Sequence, residues 1–143
     1  MSVTTLFWGS VALLAIGILA AAARRAMTAR VVYAACLAIS SVLFGVALRH
    51  LLFDGAWSYG MELPLGLPWI GARFSLDALS AFFLLVVNLG AAAASLYGLG
   101  YGVHEQVPHR VLPFYPAFLA GMNLVVLADD AFSFLFAWEF MSL

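Results

Sequence analysis

The chain has 143 residues, 66% of them hydrophobic and 9% charged, with a formal net charge of -1 and a mean hydropathy of +1.07. A soluble domain needs a more polar surface than that. The chain therefore reads as an integral membrane protein of four or five spanning helices, with any water-soluble catalytic domain left to another chain. All six basic residues are arginines and they are scattered, which leaves no basic stripe for nucleic acid.

The first apolar run, residues 6–23, follows an N-terminus without Lys or Arg and precedes Arg24 and Arg25. A cleaved signal has the opposite order, with positive charge ahead of a shorter apolar core, so the run is read as a retained helix. Helix two takes residues 31–48 and closes at Arg49 and His50. Its single Cys36 lies inside the run and reads as a small core hydrophobe. Residues 54–75 form a longer connection holding Trp57, Tyr59, Glu62, Pro64, Pro68, Trp69 and Arg73, whose aromatics suit the membrane boundary. Within it, the alternation Met61, Leu63, Leu65, Leu67 predicts a short extended segment over the membrane surface.

Helix three, residues 76–99, is predicted to be capped by Ser75, with Asp77 in its positive first turn. Gly90, Ala94 and Gly98 recur every four residues and form a small ridge that admits a close neighbour. The connection that follows holds His104, Glu105 and His109. Its histidines are five apart, Pro108 interrupts any helix and no third ligand is in view, so it reads as a solvated loop rather than a metal site. Gly98, Gly100 and Gly102 lack the preceding strand and following Lys of a nucleotide loop. Helix four, residues 111–128, confines Pro113 and Pro116 to its first turns and has a small patch at Ala117 and Gly121.

The fifth segment, residues 131–143, makes only about 20 Å of helix against a hydrocarbon core of about 30 Å. The expected fold is thus all-α, a polytopic membrane helix bundle with four full transmembrane helices plus an incomplete fifth, the truncated N-terminal part of a larger design. Arginine placement predicts the N-terminus outside the cell membrane: Arg24, Arg25, Arg30 and Arg110 fall inside. Arg49 and Arg73 fall outside, with Asp54, Glu62, Asp77, Asp129 and Asp130.

The sharp chemical candidate is Glu139, set among Phe136, Ala137, Trp138, Phe140 and Met141. If Asp129 and Asp130 mark a membrane surface, Glu139 lies roughly 13 Å deep, near the middle of the hydrocarbon. An acid there is costly and is by default a candidate for proton or ion handling. A carboxyl group in hydrocarbon keeps its proton until a cation comes alongside, so alternating those surroundings makes a proton carrier. The competing reading is a neutral glutamic acid that glues helices together. Asn88 and Asn123, mid-helix, are candidates for a water-bearing path to Glu139, although interhelical hydrogen bonding explains both. Asp129 and Asp130 could gather protons at an outer mouth; the helix dipole alone also accounts for them.

Four stretches have a familiar order and spacing: Phe74-Ser75-Leu76-Asp77-Ala78-Leu79-Ser80-Ala81-Phe82, Ser95-Leu96-Tyr97, Leu127-Ala128-Asp129-Asp130-Ala131-Phe132, and Trp138-Glu139-Phe140-Met141-Ser142-Leu143. From about Arg73 onward the chain resembles the opening of the antiporter-like, proton-pumping subunits of respiratory complex I, the NADH-quinone oxidoreductase. Its Glu-x-Met-Ser-Leu ending is most similar to hydrogenase-4 component B and formate hydrogenlyase subunit 3. The first two helices match only as hydrophobic spans. The resemblance implies an inner-membrane subunit of an oxidoreductase complex that couples electron transfer to proton translocation. Glu139 would fall on the family's fifth-helix glutamate, which pairs with a lysine on a later helix. It further implies no cofactor in this chain, redox centres in partner subunits, and other membrane and peripheral subunits as partners beside the lipid bilayer. The alternative from another class is a non-transporting scaffold, or an inactive fragment, in which Glu139 only fixes packing.

Overall fold

The computed structural model describes residues 2–22, 29–54, 58–64, 71–101 and 111–142. Five α-helices and one antiparallel hairpin run in the order α1 (Ser2–Ala22), α2 (Ala29–Arg49), β1 (Tyr59–Leu63), β2 (Ala72–Leu76), α3 (Ala78–Tyr101), α4 (Phe114–Leu127) and α5 (Ala131–Ser142). Three helical stretches are long and apolar enough to cross a bilayer: Ser2–Ala22, Ala29–Asp54 and Ala78–Tyr101. The fold is thus a lipid-embedded, all-α bundle with a small hairpin.

The first three helices bury stripes spaced by three or four residues. On α1 the stripe is Val3, Leu6, Ser10, Leu13, Gly17 and Ala20; on α2 it is Val32, Cys36, Ser40, Leu43 and Ala47; on α3 it is Ala81, Leu84, Asn88, Ala91, Ser95 and Gly98. Spacings of three and four keep each stripe on one face of its helix. Accordingly α2 packs chiefly on α3, α1 on α4, and α5 on α4. Lipid tails are as apolar as leucine, so close contact at small residues and buried hydrogen bonds hold these seams, not exclusion from water.

Several boundaries differ from the sequence expectation. Helix two does not close at Arg49: His50–Asp54 continue it as a π-helical turn, with His50 wholly buried and Leu52 and Phe53 exposed. The run Leu51-Leu52-Phe53 is apolar, so Arg49 and His50 do not mark the end of the hydrophobic segment. Ser75 is not the cap of α3 but a residue of β2; Asp77 is the cap instead. Asp77 Oδ1 accepts from the Ser80 N–H (2.7 Å) and the Asp77 N–H donates back to Ser80 Oγ (2.8 Å), a reciprocal capping box.

Helix four is shorter than predicted. Its regular part begins at Phe114, and Ala128 is extended and bridges to Phe74. Helical bonding still reaches back through the prolines, with the Tyr115 N–H donating to the Val111 carbonyl (3.1 Å). Among the described residues α4 and α5 are short apolar helices, beside three that are long enough to span a bilayer.

The hairpin is partly the extended segment expected at Met61 and Leu63; Leu65, Leu67, Trp57, Pro68 and Trp69 lie outside the described residues. Its register pairs Met61 with Phe74 and Glu62 with Arg73. In β2, Ala72, Phe74 and Leu76 turn inward while Arg73 faces out, and Phe74 meets Phe7 of α1 at 4.9 Å between ring centres. Gly71 enters the strand at φ 65°, where a side chain would be strained. The hairpin thus covers one end of the bundle. α1, the start of α3 and the α4–α5 junction all meet it there.

The small ridge on α3 divides. Gly98 lies against the Tyr33 ring of α2, whereas Gly90 has nothing within contact distance. Four-residue steps drift about 40° each around a helix, so eight residues turn the ridge away from the neighbour that Gly98 meets. On α4, Ala117 faces Gly17 of α1, and Gly121 admits Met141 of α5.

Candidate functional site

Only Ser133 and Ala137 of α5 are buried, and Met141 approaches Gly121 one turn further on. At about 100° per residue that row points at α4, and Glu139 falls almost opposite, beside Leu135 and Phe136, which are exposed by 60% and 65%. Glu139 therefore faces away from these helices; its side chain is exposed on the outer face of α5. No hydrogen bond or ion pair reaches its carboxylate among the described residues; its backbone carbonyl accepts from Ser142 Oγ (2.8 Å). The one ion pair among the described residues lies elsewhere, between Arg73 Nε and Glu62 Oε1 at 2.9 Å on the hairpin.

Asn88 and Asn123 come together away from Glu139. Both are fully buried, and Asn88 Nδ2 donates to Asn123 Oδ1 (2.7 Å) across α3 and α4. Each also donates to the carbonyl four residues back, Asn88 to Leu84 and Asn123 to Leu119 (2.8 Å each). Two turns along α3 a second bridge appears: Ser95 Oγ and the Tyr115 hydroxyl are 2.7 Å apart, and that hydroxyl donates to the Ala91 carbonyl (3.3 Å). Sequence reading missed this pair. The signal was available, since Ser95 stands seven residues from Asn88 and so shares its face.

Asp129 and Asp130 stand at the turn between α4 and α5. The Asp129 N–H donates to the Arg73 carbonyl (2.9 Å). Asp130 accepts at Oδ1 from the Ser133 N–H and at Oδ2 from the Arg73 N–H, both at 2.8 Å. Partial burial acts against its charge, but the bonds from Ser133 and Arg73 outweigh it and hold the carboxyl below the usual aspartate range. A shallow open depression lined by Ala128, Asp129, Asp130, Ala131, Phe134 and Leu135 lies beside this turn. Leu135 is one helical turn from Glu139, so the depression leads along the face that carries the acid.

His104, Glu105, His109 and Arg110 lie outside the described residues. Among the described residues no three His, Cys, Asp or Glu side chains gather as a metal site. What the arrangement can do chemically is narrow: one carboxyl in an apolar face can bind and release a proton, provided a cation from another helix approaches it. No known protein-family model matches the chain, and no curated protein matches it either.

Proposed function

We propose that the chain forms the opening helices of an antiporter-like membrane subunit, of the hydrogenase-4 or formate hydrogenlyase type and akin to the proton-pumping subunits of complex I. In this reading Glu139 carries a proton in translocation coupled to electron transfer in partner subunits. The observation that carries it is the position of Glu139 on α5: a lone carboxylate, without a partner among the described residues, on an uncovered apolar face. A neighbouring helix that brings a lysine or arginine there supplies the alternating surroundings a carrier requires. The depression at Asp129 and Asp130 supports the same reading as a water-facing mouth about three turns from the acid. The Ser2 end, the hairpin and this mouth then stand on the outer side of the inner membrane.

A scaffold reading draws on a different observation. Phe132 stacks on Phe136 and Phe134 on Trp138, with ring centres 6.2 Å and 5.9 Å apart, which gives α5 two aromatic ridges for docking another helix. Glu139→Gln separates the two. In sealed membrane vesicles holding the whole assembled complex, a carrier loses most of its electron-transfer-driven proton uptake, at least tenfold, while the complex still migrates intact on a native gel. Unchanged uptake together with a loosened complex favours the scaffold.

A further inference from the structure

The α4–α5 turn does more than mark a membrane surface. Arg73 pairs with Glu62 across the hairpin, yet its own N–H and carbonyl are both engaged on the opposite side, by Asp130 and Asp129. That edge of β2 therefore receives residues 128–130, with Phe74 making an isolated antiparallel bridge to Ala128. The two oxygens of Asp130 go to two different elements, one to the hairpin and one to the first turn of α5. Serine or asparagine at this cap could serve α5, but only a carboxylate offers a separate acceptor oxygen to each N–H.

We propose that Asp130 is a positioning residue: by holding the Arg73 N–H and the Ser133 N–H at once, it fixes the rotation of α5 and so the outward face on which Glu139 sits. This rests on the proton-carrier reading of Glu139 for its functional meaning, though not for its geometry. The buried residues of α5, Ser133 and Ala137, are small, and Met141 approaches Gly121 near the far end, so the start of the helix is where a polar tie can set its rotation. Slipping α5 by one residue would turn Glu139 by about 100°.

The test is a nitroxide scan of residues 132–137, one cysteine at a time, in a Cys36→Ala chain in its native complex, reading oxygen accessibility in the membrane. The expected pattern has minima at 133 and 137. Asp130→Ala should move those minima or reduce their contrast at least twofold. Arg73→Pro should do the same, because proline removes the N–H given to Asp130 while the Arg73 position contributes none to the β1 ladder. Arg73→Ala keeps that N–H and should leave the pattern intact, although the ion pair to Glu62 is gone. An unchanged pattern in Asp130→Ala, or equal effects of the two Arg73 variants, overturns the proposal. Proton uptake measured on the same samples separates the two readings: a displaced pattern with normal uptake upholds the role of Asp130 and sinks that of Glu139.

Discussion

Replacing Asn123 by leucine leaves the Asn88 amide with only its Leu84 carbonyl, deep between helices where no water competes. The expected loss is about 1 kcal/mol, in keeping with interhelical bonds in membranes. The double change Asn88→Leu with Asn123→Leu should cost less than the two single changes added, since no amide is then left without its mate. Unfolding equilibria in mixed detergent micelles measure both. Asp77 supplies a pH prediction. Its bonds from Ser80, the side-chain one foremost, hold its carboxyl below the usual aspartate range. Because the folded value is the lowered one, its contribution is present above the ordinary aspartate pKa of about 3.9 and fades as pH falls through the lowered value. Asp77→Asn should therefore flatten the stability profile below about pH 4 and change its slope little at neutral pH; an unchanged acid slope would assign that loss to other carboxylates.

At the scale of the elements, glycine placement separates contact from mere composition. A Cβ on Gly17 would lie 2.8 Å from the Pro113 carbonyl oxygen, a backbone atom that cannot step aside without moving α4. Gly17→Ala should cost about 1–3 kcal/mol by forcing α1 and α4 apart. Gly90→Ala meets nothing within 4 Å and should be neutral or mildly stabilising, as alanine favours helix. Thermal unfolding of the two variants in detergent compares them directly. From sequence Gly90 and Gly98 looked alike, because spacing names a face of a helix but not which neighbour covers it. The strand β2 was obscured for a related reason: Ala72 to Leu76 is five residues long, runs straight into the helix, and its role depends on Tyr59 to Leu63 and on Ala128 far along the chain. The helix start was legible, but its cap was read at Ser75, which the strand claims, so that Asp77 makes the cap instead.

Across the whole molecule, hydrophobic runs made the membrane character and the helix order readable, since a bilayer demands long, internally bonded apolar segments. Their depth and partners were less readable. The sequence marked Glu139 as an acid within an apolar run, but not which way it faces: α5 buries Ser133 and Ala137 and leaves the acid on its outer face. Burial depends on which helix lies alongside, and local sequence does not encode that. Asn88 and Asn123 stood out as mid-helix amides, but their bond to each other spans 35 positions and follows from the packing of α3 on α4. The account turns on whether Glu139 changes protonation while the complex works. Infrared difference spectra of the assembled complex, recorded as electron transfer is switched on, read this through the carbonyl stretch of a protonated carboxyl group. The account predicts a carboxyl band that appears or disappears with turnover and is missing in Glu139→Gln. The same band at full strength in Glu139→Gln, or no carboxyl band in the wild type, would contradict it.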